Sequence, residues 1–162
     1  MTVFIAHAPE DRDIALTLER YLERRGVFVE LETGERGFRF TQAADAVVVL
    51  WSRAALFSPQ RMQIERRCLE AWADERLVFV KLDTMFAPVG LRDLPAIDAS
   101  FEPQRDIAWA AVARGVSERL TTARARVADP PPRDVQTTVR PQPGGRGGEA
   151  TVRPPAPASR RT

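Results

Sequence analysis

The 162-residue chain has a single cysteine, Cys68, and a single histidine, His7. One cysteine cannot cross-link its own chain. That excludes a disulfide framework and fits a reducing, cytoplasmic compartment, with Cys68 expected as a buried structural thiol. One Cys and one His supply no ligand set for a zinc-type site, so no metal and no resident cofactor are expected. A Ser-His-Asp relay would have to run through His7, and nothing else in the chain supports one. No stretch reaches the roughly 20 apolar residues of a membrane-spanning helix. The opening MTVFIAHAPEDRD has no basic segment ahead of its apolar run, unlike a secretory signal. A glycine-rich phosphate loop is also missing, since GERG at 34–37 is too short and opens no convincing helix.

The segment 129–162 lacks Leu, Ile, Met, Lys and every aromatic; its branched apolar residues are Val135, Val139 and Val152. Such a chain cannot bury enough apolar surface to offset its ordering entropy, and it reads as a disordered Pro/Arg/Gly-rich tail. Its six arginines against three acids give +3, which, of the whole chain's +2, leaves −1 for residues 1–128. The basic pI of 9.3 therefore comes largely from the tail. It does not mark the folded part as a nucleic-acid binder, which would need a basic face of its own. The tail repeats Thr-Val-Arg-Pro at 138–141 and 151–154. Compositional drift accounts for that echo more simply than a phosphorylated linear motif.

Residues 1–128 carry the structural signal. TVFIA at 2–6, VFVEL at 27–31, AVVVLW at 46–51 and LVFVKL at 77–82 are short apolar, β-branched runs, and AIDAS at 96–100 is a weaker fifth. Each reads as a buried strand. Between the first two, Pro9 suits a first helical position and Glu10, Asp11 and Asp13 suit the positive end of a helix dipole. Ile14, Ala15, Leu18, Tyr21 and Leu22 recur at helical spacing, and Gly26 is the stop. The segment 39–45 allows a helical turn or two. A second helix is expected over 59–75, with Met62, Cys68, Leu69 and Trp72 as its apolar positions. A third is expected over about 103–128, with Ile107, Ala108, Ala111, Val112, Gly115, Val116, Arg119 and Leu120 facing inward. Trp51, Trp72 and Trp109 are expected to pack in the core or at its edge. Strands alternating with helices imply an α/β fold, a three-layer flavodoxin-like parallel sheet, with ligands at the carboxyl ends of the strands.

Four pieces, in this order and spacing, resemble the Toll/interleukin-1 receptor (TIR) domain family, especially its bacterial members. They are 3-VFIAHAPEDRDIALTLERYLERRGVFVEL-31, 43-AADAVVVLWS-52, 58-SPQRMQIERRCLEA-71 and 77-LVFVKLD-83. The resemblance covers roughly residues 2–122. It implies a TIR-like flavodoxin fold and one of two activities. Many members are NAD⁺ nucleosidases, and others are non-catalytic modules that bind other TIR or effector domains or self-associate. For an enzyme, Glu65 matches the family's catalytic glutamate. A carboxylate there suits the chemistry, because cleavage of the nicotinamide–ribose bond passes through an oxocarbenium-like state that a nearby anion stabilises. The loop 34-GERGF-38 resembles the family's Glu-x-Gly loop, which places Glu35 and Gly37 at the pocket mouth. His7 stands where the family's Tyr borders the nucleotide. Ser52 closes the third-strand motif beside the substrate; on the residues alone it caps a turn and does not act as a nucleophile. Three departures favour the non-catalytic reading: Arg61 where the family has Trp, a short region between the loop and the third strand, and a non-aromatic His7. On the residues alone Glu65 is a surface carboxylate with Arg61, Arg66 and Arg67 as ion-pair partners.

Overall fold

The structure, a computed structural model, describes residues 1–31 and 44–128. Glu35, Gly37, residues 39–43 of the segment expected as a short helical turn, and the tail lie outside the described residues.

Five parallel strands form one sheet: β1 (Thr2–Ala6), β2 (Phe28–Leu31), β3 (Ala46–Trp51), β4 (Leu77–Lys81) and β5 (Ala96–Asp98), in the order β2-β1-β3-β4-β5. The central strand β3 is apolar at every position because both of its faces are covered, and all six residues are buried. Register follows from direct pairs such as Ala6 with Val49 and Trp51 with Lys81. The period of two then sorts the side chains. Val3, Ile5, Val48, Leu50, Val78 and Val80 meet α1 (Arg12–Glu23) and α4 (Arg105–Ala128) on one face. Phe4, Ala6, Val47, Val49, Trp51, Leu77 and Phe79 meet α2 (Arg53–Phe57) and α3 (Arg61–Ala73) on the other. Two apolar layers on one sheet make the three-layer α/β architecture. Each fully buried Val, Leu or Ile in them contributes about 1.5–3 kcal/mol relative to an exposed position.

The first crossover follows its signals. Pro9–Asp11 forms a turn of 3-10 helix, α1 continues from Arg12, and Ala15, Leu18 and Leu22 are its buried residues. Gly26 ends it with φ of 76°, a left-handed conformation that glycine adopts without strain. In α4, a Cβ on Gly115 would lie 3.4 Å from Val78 Cγ2, so the glycine lets the helix sit close against β4.

Three expectations are corrected. The segment between β3 and β4 folds as two helices, not one. Ser58 is extended (φ −64°, ψ 142°) because Pro59 disfavours a helical residue before it, so the chain breaks and restarts at Arg61. The buried face of α3 is Ile64, Cys68 and Ala71. Met62 is 75% exposed and Leu69 and Trp72 are also exposed, because the face that meets the sheet is set by small and β-branched residues and not by the largest ones. On α4, Ile107 is 70% exposed and Trp109 is buried with Ala108, Val112 and Val116. Trp109 takes the inward position expected of Ile107 and joins the buried cluster with Ala15, Leu18 and Val112. No helix among the described residues is long and apolar enough to cross a membrane.

Candidate functional site at the carboxyl edge of the sheet

Parallel strands leave their carboxyl ends, and the residues just after them, on one edge of the sheet. His7 follows β1, Ser52 follows β3, and Asp83 stands two residues past β4. The sheet order changes direction between β1 and β3, which makes this edge the switch-point crevice of the fold.

A buried polar cluster occupies it. Ser52 Oγ donates to Asp11 Oδ2 at 2.5 Å and accepts from the Ala55 N–H at 3.1 Å, so the same hydroxyl caps α2 and ties it to the turn after β1. Asp83 closes the other side: Oδ2 accepts from the Arg53 N–H at 2.5 Å and Oδ1 from the Met85 N–H at 2.9 Å. Burial pushes the Asp11 carboxyl above its ordinary value of 3.8, with Glu10 and Asp83 adding to the rise, while the Ser52 hydrogen bond and the nearby His7 oppose it. His7 is 6% exposed, with Nδ1 2.7 Å from the Ala8 carbonyl oxygen. A carbonyl only accepts, so this contact assigns the ring hydrogen to Nδ1.

Glu65 sits on α3, which packs on the same face of the sheet as α2. Its Oε1 lies 3.0 Å from Arg61 Nε. That atom is buried and makes no hydrogen bond, so the two groups stand at ion-pair distance without the alignment of an N–H donor. Arg66 and Arg67, expected beside Glu65, pair with Glu70 at 2.7 and 3.5 Å. Among the described residues two more buried polar atoms have no hydrogen-bond partner: His7 Nε2 and Trp51 Nε1. The Trp51 ring is buried on the α3 face, its centroid 6.4 Å from that of Phe79. Cys68 lies in the same layer, and burial pushes its thiol up to about 12, which leaves it inert as a nucleophile.

The structure thus brings His7 and Ser52 to one cluster and sets Glu65 on the neighbouring helix. Among the described residues no hydrogen bond or ion pair joins Glu65 to His7, Asp11 or Ser52. Ser52 does cap a helix, as its residue type suggested, though the helix itself was not expected. Sequence reasoning missed Asp11 and Asp83 as members of the site. Asp11 read as a helix-dipole acid. Its usable signal was position: an acid five residues past one central strand and a serine directly past the next. No group of three or more His, Cys, Asp or Glu residues able to hold a metal ion occurs among the described residues.

Residues 3–113 match the family model of the TIR domain. The chain therefore belongs to the TIR domain family, a family of signalling modules that act through TIR–TIR association. Its fold is similar to that of the crystallised TIR domain of the Toll-related receptor TRR-2 from the lower metazoan Hydra magnipapillata. The TM-score is 0.57 and the identity 19%, over 71% of this chain and 97% of that one. At that identity the likeness is one of fold. No curated protein matches the chain.

Proposed function

We propose that this TIR-domain protein hydrolyses NAD⁺ to nicotinamide and ADP-ribose when its domains self-associate, with Glu65 stabilising the ribosyl cation. The observation that carries the reading is the state of Glu65. Its Oε1 is withdrawn from water and makes no hydrogen bond, although Arg61 stands beside it. An exposed helix carboxylate would be solvated, and a purely structural one would be hydrogen-bonded. A carboxylate held in this condition is suited to a developing positive charge once the Arg61 guanidinium at 3.0 Å turns aside, because no hydrogen bond holds the oxygen in place. Glu65 would act electrostatically, with NAD⁺ as substrate and no cofactor. His7 and Ser52 would border the substrate, and Glu35 and Gly37 would lie at the pocket mouth.

A second reading has its own support. Met62, Leu69 and Trp72 are exposed apolar side chains on α3, and Arg61 already neutralises Glu65. These features suit a non-catalytic scaffold that binds other TIR or effector domains through that helix. Chromatography of NAD⁺ incubated with concentrated full-length protein separates the two. The enzyme reading expects nicotinamide and ADP-ribose in equal amounts, and none from a folded Glu65→Ala variant. Intact NAD⁺ beside self-associated wild-type protein supports the scaffold.

A further inference from the structure

Arg61 stands where local physics disfavours it. It is the first residue of α3, and the first turn of that helix holds no acidic residue. A cation there opposes the positive end of the helix dipole. Its guanidinium is instead turned onto Glu65, one helical turn further on, with Nε 3.0 Å from Oε1. The other two arginines of α3, Arg66 and Arg67, are engaged with Glu70. The Arg61 contact is not a locked one. Oε1 accepts no hydrogen bond, so the aligned fork that fixes an arginine on a carboxylate is missing. Among the described residues Arg61 has no second ion-pair partner. Its side chain is 48% exposed, against 24% for that of Glu65. The arginine is therefore the half of the pair that can swing into water, while Glu65 Oε1 stays withdrawn from it.

We propose that Arg61 is a built-in restraint on catalysis: its positive charge competes with the ribosyl cation for Glu65, and turnover waits on the side chain's departure. This inference rests on the NAD⁺ reading above and adds the regulation of that site. The sign follows from charge. A cation that develops on the ribose beside Glu65 would meet a guanidinium already at ion-pair distance from the same carboxylate, and like charges at that range repel. The restraint is also releasable, because a half-exposed pair without aligned hydrogen bonds is a weak one. Removing the charge while keeping the length of the side chain frees Glu65 without disturbing the buried face of α3, which is Ile64, Cys68 and Ala71.

The test compares full-length wild type with Arg61→Gln and Arg61→Lys, at equal concentration and equal self-association by gel filtration. Arg61→Gln is expected to release nicotinamide from NAD⁺ about tenfold faster, and Arg61→Lys, which keeps the charge, to stay within about twofold of wild type. Arg61→Met is also neutral and of similar length, and it replaces Arg61→Gln if that variant does not fold. Calorimetry supplies a readout that a merely structural role would not move. The probe is an ADP-ribose analogue whose terminal sugar is a pyrrolidine, protonated at neutral pH, beside its uncharged cyclopentane counterpart. Arg61→Gln is expected to bind the charged probe about tenfold more tightly than wild type does and the uncharged probe equally well. Nicotinamide release that Arg61→Gln leaves unchanged or lowers, or equal gains for both probes, overturns the restraint while the NAD⁺ reading stands. No nicotinamide from any of the proteins, with neither probe bound, overturns both.

Discussion

At the scale of single residues, the informative group is Asp11. Its carboxyl is raised above the unfolded-chain value, and burial is the largest cause. The protonated form is therefore the one the fold favours. That contribution is fully present below the ordinary value of 3.8 and is lost as pH rises through the higher folded value. At neutral pH the ionised Asp11 is a liability to the fold. Asn at this position keeps an acceptor for the Ser52 hydroxyl and removes the charge. Asp11→Asn is expected to melt at the same or a higher temperature at pH 7, and to lose the wild type's stability gain on acidification toward pH 4. Thermal melts across that range check both. A lower melting temperature at pH 7 would show that the charge itself holds the turn. A residue retained in a form that costs stability, where an amide would suffice, is what a functional edge of a fold contains.

At the scale of elements, two short features answer to local rules. The five-residue α2 is too short to persist on propensity alone; it is held by Ser52 and Asp83 at its first turn. Ser52→Ala removes the cap and leaves Asp11 without its hydrogen-bonding hydroxyl, so a loss of about 1–3 kcal/mol is expected by urea unfolding. A loss indistinguishable from zero would mean Asp83 suffices. At the end of α3, Glu75 adopts φ of 56°, a left-handed conformation costing roughly 1–2 kcal/mol for most side chains and less for Asn. It also pairs with Arg126 at 2.5 Å, but both side chains are largely exposed, and such pairs contribute about 0–1 kcal/mol. Glu75→Asn should therefore raise stability by about 0.5–1 kcal/mol, measured in the same unfolding series.

At the scale of the whole molecule, the layered fold was legible and the site only partly so. The strand runs, Pro9 and Gly26 act through local chemistry, and the structure follows them. AVVVLW marked the central strand because only a strand covered on both faces can be apolar throughout. The outward positions of Met62, Leu69, Trp72 and Ile107 were not legible. Residue size does not say which face of a helix meets the sheet, and on α3 the small residues Cys68 and Ala71 do. The His7–Asp11–Ser52 cluster was hidden for another reason. Asp11 and Ser52 lie 41 positions apart in the chain and meet through the parallel pairing of β1 and β3. Glu65 stood out through family resemblance, and the structure adds the buried, unbonded state of its Oε1.

The central claim joins that carboxylate to self-association. Its most direct test is the rate of nicotinamide release per molecule of full-length protein, followed over a wide range of protein concentration and repeated with Glu65→Gln. The account predicts a specific rate that rises with concentration as domains assemble, and a Glu65→Gln rate at background throughout, with folding intact by circular dichroism. A wild-type rate at background at every concentration, from protein that demonstrably self-associates, would contradict it and leave Glu65 as the ion-pair partner of Arg61.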